Sequence, residues 1–262
     1  MSMPQGQAPC IRPTYCRRVE WIVVAVVLIV AAAAGIWFWW RWLMRRRALW
    51  STRLSDAIPV HSKFWRDARK VPGELLYVAI GDSAAQGIGA SRPDRGYVGF
   101  LRRFIGEVTG KPVRVANLGI SGARIRLAID DELPRLAKLS PDVLTVSIGA
   151  NDIAAFDPRR FEADIRELFA ALPAHAIVAD LPSFYFLPGE RDVKVANAIL
   201  RAAAADHGLT VVPLWRSTKR QGLWGVTRQF AGDLFHPNDR GYRVWAKTFE
   251  PAVAARLREL AS

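Results

Sequence analysis

Apolar positions divide the chain into one long uninterrupted run and a series of short ones. From Trp21 to Trp40 the sequence WIVVAVVLIVAAAAGIWFWW carries no charge over twenty residues, about the ~20 needed for a helix to cross ~30 Å of hydrocarbon. Beyond it, Trp50, Leu54 and Ile58 recur at i, i+4, i+8, a stripe suited to lie on a membrane or on a folded domain. Pro59 is expected to end that helix, with HSKFWRDARKVPG leading to Gly73 as a linker. From Leu75 onward short apolar runs alternate with amphipathic ones. Candidate strands are 75–80, 113–118, 143–148, 176–181 and 209–213. Helical segments are expected at 98–109, 123–139, 158–171 and 192–207, with a last helix over 238–260. This alternation predicts βαβ units on a five-stranded parallel sheet, whose doubly buried strands read as continuous apolar runs. The expected organisation is a tail (1–20), a transmembrane helix (21–43), a juxtamembrane helix and linker (44–73) and a folded domain (74–262).

The flanks favour a retained anchor over a cleaved signal. A signal peptide has a shorter apolar region followed by a small-residue cleavage site. This run ends instead in Trp37, Phe38, Trp39, Trp40, Arg41 and Trp42, an aromatic belt followed by cations. Arg12, Arg17 and Arg18 precede the span and Arg41, Arg45, Arg46, Arg47 and Arg53 follow it. The heavier C-terminal flank leans towards a cytoplasmic domain, although a short tail retained inside would reverse it, so the side stays open. Cys10 and Cys16 are the only cysteines and both sit in the tail. No disulfide within the domain therefore reports its compartment.

Charge changes the picture little. The formal net charge is +13, but the first 70 residues hold 12 Lys/Arg against 3 Asp/Glu, and the remaining 192 hold 25 against 21. The basicity thus gathers around the anchor, where anionic lipid head groups lie. No stripe of cations interleaved with aromatics marks a nucleic-acid surface, and nucleic acid is not expected as a partner.

In parallel α/β folds the chemistry collects at the carboxyl ends of the strands. The first strand ends in Gly81-Asp82-Ser83, the second in Asn117-Leu118-Gly119 and the third in Gly149-Ala150-Asn151-Asp152. Beyond the fifth, Asp233 precedes His236 by three residues. A phosphate cradle fails for lack of charged partners. No lysine lies between Val71 and Gly110, Gly87-Ile88-Gly89 comes too late for a dinucleotide fingerprint, and the second strand ends at Asn117 rather than an acid. A nucleophile fits better. A serine hydroxyl needs a base, and the base needs an orienting acid. Ser83 supplies the hydroxyl. His61 falls in the linker, His175 opens the fourth strand and His207 ends a helix, which leaves His236 as base with Asp233 one turn away. Gly119 N–H, Ser83 N–H and the Asn151 amide are the expected oxyanion donors. Singly each residue has an ordinary alternative: a helix cap, a turn glycine, a surface histidine. Together at one sheet edge they point to acyl transfer.

The blocks Gly81-Asp82-Ser83, Gly119, Gly149-x-Asn151-Asp152 and Asp233-x-x-His236 resemble, in spacing and order, the SGNH/GDSL hydrolase family, over about Leu75 to the C-terminus. Ala84 replaces the family's usual leucine after the serine. The resemblance implies a flavodoxin-like three-layer α/β/α sandwich. It also implies Ser83 as nucleophile, Gly119 and Asn151 lining the oxyanion hole, and Asp233 with His236 completing a triad. No metal or other cofactor is expected, since the chain lacks His-Glu-x-x-His and paired-cysteine spacings. The implied substrate is a carboxylic ester. The anchor, and the loop PSFYFLPGE with Phe184, Tyr185, Phe186 and Leu187, lean towards lipid or other hydrophobic acyl esters, although such aromatics often serve packing. A deacetylase of cell-envelope glycans and a catalytically silent membrane-anchored binding module stand as alternatives.

Overall fold

The computed structural model describes residues 13–185 and 189–262. Residues 1–12 of the expected tail, with Cys10, and Phe186 and Leu187 of the aromatic loop lie outside the described residues, as does the Cys16 side chain. The chain forms two compact units, one up to Ala48 and one from Leu49 onward.

The described residues of the first unit are helical, as the start of α1 (Pro13–Ala68). Its apolar side chains are exposed all round, from Trp21 to Trp42. The helix is long and apolar enough to cross a membrane. Arg41 lies over the Trp37 ring at 5.0 Å and Arg46 over Trp42 at 5.3 Å, so the cations that follow the apolar run are held against aromatic faces.

The second unit contains the rest of α1, and here the structure corrects the sequence reading. The helix does not stop at Pro59 but runs through it to Ala68. A proline inside a helix costs about 3 kcal/mol. The stripe of Trp50, Leu54 and Ile58 is half-buried, however, and it continues into buried His61 and Trp65. Burying an indole of roughly 200 Å² at ~25 cal/mol per Å² is worth about 5 kcal/mol, which exceeds the proline's cost. The segment expected as a linker is therefore a docked helix end.

Five parallel strands follow: β1 (Leu75–Gly81), β2 (Val113–Asn117), β3 (Val143–Ser147), β4 (Ile177–Ala179) and β5 (Thr210–Val212), in the order β2-β1-β3-β4-β5. This is the flavodoxin-like order, with its switch point between β1 and β3. β1 pairs with β2 from Leu75↔Val113 to Ala79↔Asn117, and with β3 from Tyr77↔Val143 to Gly81↔Ser147. Alternate residues of β1 feed opposite cores. Leu76, Val78 and Ile80 pack with α6 (Pro158–Ala170) and α7 (Glu190–Asp206). Tyr77 and Ala79 pack with α2 (Ser83–Gln86), α3 (Tyr97–Thr109), α10 (Asp239–Glu259) and Trp65 of α1.

Three further features depart from the expected pattern. The helix expected over 123–139 is broken into α4 (Ile125–Leu127), a π turn (Ala128–Glu132) and α5 (Leu133–Leu136). The wider π turn brings Glu132 fully inside, where its Oε2 accepts from Gly81 N–H at 2.9 Å. Two helices absent from the sequence reading, α8 (Leu214–Lys219) and α9 (Gly222–Arg228), fill the stretch after β5.

Candidate active site

The turn after β1 is built so that Ser83 emerges at the sheet's carboxyl edge. A Cβ on Gly81 would lie 2.4 Å from Ser147 O, so only glycine lets β1 run so close to β3 at this point. Asp82 caps α2, its Oδ1 accepting from Ala84 N–H at 2.8 Å. Ser83 is the first residue of that helix, ahead of its first intrahelical N–H bond. Burial raises the Asp82 carboxyl to about 6, against the lowering effect of the Ala84 N–H and of nearby His236.

The opposing loop is short and bonded to itself. Ala231 N–H donates to His236 O, Phe230 bridges to Pro237, and Asn238 N–H donates to Gln229 O. Within it Asp233 Oδ1 accepts from the N–H groups of Phe235 and His236, at 3.2 and 3.1 Å. Asp233 Oδ2 lies 2.6 Å from His236 Nδ1, and His236 Nε2 lies 3.0 Å from Ser83 Oγ. A carboxylate only accepts, so Nδ1 carries the proton in the neutral imidazole and Nε2 is left to accept from the serine. Burial pushes the Asp233 carboxyl up. The His236 ring and the two backbone N–H groups outweigh this and hold it below the usual range. Ser83 and the Asp233–His236 pair, separated by about 150 positions in sequence, thus form one continuous hydrogen-bonded chain.

Two of the expected oxyanion donors, Gly119 N–H and the Asn151 amide, are already engaged. Gly119 N–H donates to Asn117 Oδ1 at 3.1 Å. The Asn151 amide donates to Ala123 O at 2.9 Å and to Asp82 Oδ2 at 3.3 Å. Asn117 Nδ2 bonds Ala85 O, and Gln86 Nε2 bonds Gly119 O at 2.8 Å. The loop after β2 is thereby stitched to α2.

The aromatic loop is only partly at the site. The Phe184 ring packs edge-on against Phe235, which in turn stands edge-on to His236. Tyr185 is buried at a positive φ of 60°, and its hydroxyl donates to Thr218 O. It therefore supports the loop from below. Phe186 lies outside the described residues. Exposed apolar side chains nearby in sequence to the histidine loop are Leu234 and Phe235, and α9 adds Leu223 and Trp224, the latter two 75% and 59% exposed. No group of three or more His, Cys, Asp or Glu arranged to hold a metal occurs among the described residues.

Sequence reasoning missed Gln86, Asn117 and Glu132 as organisers of this edge. Asn117 carried a signal, as a polar residue ending a buried strand. Gln86 lies one helical turn beyond Ser83. Glu132 carried none, because only the π turn directs it inward.

A model of the GDSL-like lipase/acylhydrolase family matches residues 79–244 of the chain. A GDSL-like esterase of Mycobacterium tuberculosis is 26% identical over 211 residues, covering 74% of this chain and 66% of that protein. The match thus spans just under two thirds of that relative's length. Among solved structures, an α/β hydrolase from the metagenome of Lake Arreo, Spain, is 23% identical with a TM-score of 0.59, over 70% of this chain and 97% of that one. An acetylxylan esterase from Geobacillus stearothermophilus is 21% identical with a TM-score of 0.56, over 70% and 96%. These last two show a shared fold.

Proposed function

The chain belongs to the GDSL-like lipase/acylhydrolase family, and from that premise we propose that it hydrolyses carboxylic esters through an acyl-serine intermediate. The observation that carries this reading is the unbroken chain Asp233–His236–Ser83, with contacts of 2.6 and 3.0 Å. Ser83 Oγ attacks the ester carbonyl carbon as His236 Nε2 takes its proton, and Asp233 stabilises the imidazolium so formed. The tetrahedral oxyanion is received by the N–H groups of Ser83 and Gly119 and by the Asn151 amide. Each such donor is worth about 3 to 4 kcal/mol in the barrier. The longest of the resting bonds, Asn151 to Asp82 at 3.3 Å, is the one an oxyanion most readily replaces. On collapse His236 protonates the departing alcohol oxygen. Water, losing its proton to the same nitrogen, then releases the acid and restores Ser83.

The favoured substrate is a lipid or other hydrophobic acyl ester. The exposed apolar residues of α9 and of the histidine loop support this, as does the apolar N-terminal helix, which we read as a single-pass anchor. The full chain in detergent is expected to hydrolyse p-nitrophenyl esters and to be labelled by a fluorophosphonate, both signals vanishing in Ser83→Ala. Residual turnover or labelling in that variant would overturn the mechanism. Activity that peaks at acetate and fails at octanoate would favour a deacetylase of envelope glycans over the hydrophobic ester. With Cys10 and Cys16 replaced by serine, a cysteine placed within 74–262, which has none of its own, reports the membrane side through an impermeant thiol reagent on whole cells.

A further inference from the structure

We propose that Gln86 is a positioning residue for the Ser83 reaction, through which the last turns of α1 hold the nucleophile and the Gly119 loop in register. The inference rests on the reading of Ser83 as nucleophile. Gln86 is buried and ends the four-residue helix that Ser83 begins. Its backbone carbonyl accepts two hydrogen bonds from α1, from Trp65 Nε1–H at 3.0 Å and from His61 Nδ1 at 2.9 Å. A carbonyl only accepts, so His61 is held with its proton on Nδ1. Burial pushes the His61 pKa down, against the raising effect of the Gln86 carbonyl, so the ring stays neutral.

The Gln86 side chain works in the other direction. Its Nε2 donates to Gly119 O at 2.8 Å, and its Oε1 accepts from Ser121 Oγ at 3.0 Å and Ser62 Oγ at 3.3 Å. One residue therefore joins three segments: α1 through His61, Ser62 and Trp65; the nucleophile helix; and the loop that offers Gly119 N–H. The carbonyl that Gln86 holds belongs to the same residue as that donor, so this bond limits rotation of Gly119. A second contact ties α1 to the histidine side. A Cβ on Gly232 would fall within 2.2 Å of Trp50 Nε1, so Trp50 lies directly against the residue preceding Asp233. The helix end that follows the apolar segment thus touches both the helix that Ser83 begins, at Gln86, and the loop of Asp233 and His236, at Gly232, a coupling not required if α1 were only a tether.

Kinetics of the full chain in detergent test this, with active sites counted by fluorophosphonate titration so that unfolded protein drops out. In Gln86→Ala, kcat per titrated site is expected to fall about tenfold or more with KM changed less than about threefold, since misplacement taxes the reaction more than binding. Trp65→Phe, which keeps a ring and loses the N–H, is expected to fall about two- to fivefold in the same way. Gln86→Glu retains the Oε1 acceptor but donates to Gly119 O only as the neutral acid. Its kcat relative to wild type should therefore recover on going from about pH 8 to about pH 6. A purely structural role for Gln86 would leave that ratio flat. Wild-type kcat per titrated site in Gln86→Ala and Trp65→Phe would overturn the proposal, as would losses confined to the titratable fraction. If Gln86→Ala does not fold, the pH ratio of Gln86→Glu and the turnover of Trp65→Phe decide the matter. Turnover persisting in Ser83→Ala would fail the underlying reading. An inert Ser83→Ala beside unaffected Gln86 variants would fail the positioning role alone.

Discussion

The two loops that meet at the Ser83–His236 hydrogen bond are held in different ways. The serine side is fixed from outside itself: by Glu132 on Gly81 N–H, by Asn117 on Ala85 O, and by α1 and the Gly119 loop on Gln86. The histidine side is fixed mostly from within, by the bonds of Asp233 to Phe235 and His236 and by the Phe230–Pro237 bridge. Long-range bracing leaves Ser83 dependent on distant segments. Local bracing makes Asp233 and His236 a self-contained unit, which is why a spacing of three residues was enough to place them together.

The largest test of this contrast lies on the histidine side. Asp233→Asn keeps the shape of the loop but offers an amide N–H or a neutral oxygen to Nδ1, so the ring loses its preferred tautomer. We expect kcat to fall about 10³- to 10⁴-fold with little change in Tm, as measured by ester turnover and thermal melting. Next comes the contact between the two loops. Gly89 has a φ of +96°, and a Cβ there would lie 2.5 Å from Pro237 O and 2.8 Å from His236 Cβ. Gly89→Ala should cost roughly 100-fold in kcat by displacing the base, and normal turnover would show the histidine loop to be more yielding than its internal bonds suggest.

On the serine side the expected losses are in stability. Glu132→Ala leaves Gly81 N–H unpaired over a cavity and should cost about 2 to 4 kcal/mol. Glu132→Gln keeps an acceptor for that N–H, and burial already holds Glu132 well above the ordinary carboxyl range. Its denaturant midpoint should therefore stay near wild type at neutral pH. The smallest effect concerns Asp82, raised from 3.8 to about 6 by burial. The folded state binds this proton more tightly than the unfolded one, so stability from the group is present below the unfolded value and lost as pH rises through about 6. The Tm of Asp82→Asn relative to wild type should rise across that window and then level off, the whole change amounting to roughly 1 to 3 kcal/mol. A flat difference would place the Asp82 charge outside the balance of the serine turn.

Legibility in the sequence follows the same division. The five strands, α3, α6, α7 and α10 were visible because apolar periodicity records burial on one face or two. Ser83, Asp233 and His236 were visible because strand ends and a local spacing carry them. Pro59 misled because a local helix breaker was outweighed by burial of Trp65, a contact that no window around residue 59 contains. For the same reason His61 read as a linker residue, although it is bonded to Gln86. The broken helix over Ile125–Leu136 was hidden because its π turn goes with a long-range bond, from Gly81 N–H to Glu132, that local periodicity does not record. α9 is only seven residues long, GLWGVTR, too short for a helical period to show in its apolar positions.

The placement of β1 has a mechanical consequence. α1 passes into β1 after six residues, from Ala68 to Leu75. Tension along the helix therefore meets its docked contacts at Trp50, His61 and Trp65 first, and beyond them a strand flanked on both sides. A force along the axis of that strand would load its ladders with β2 and β3 in shear, so their rungs would share it rather than open one at a time. The bonds that tie α1 to the serine helix are thus the first to carry a pull on α1, and the strand beneath them, paired along both edges, is the support they lean on.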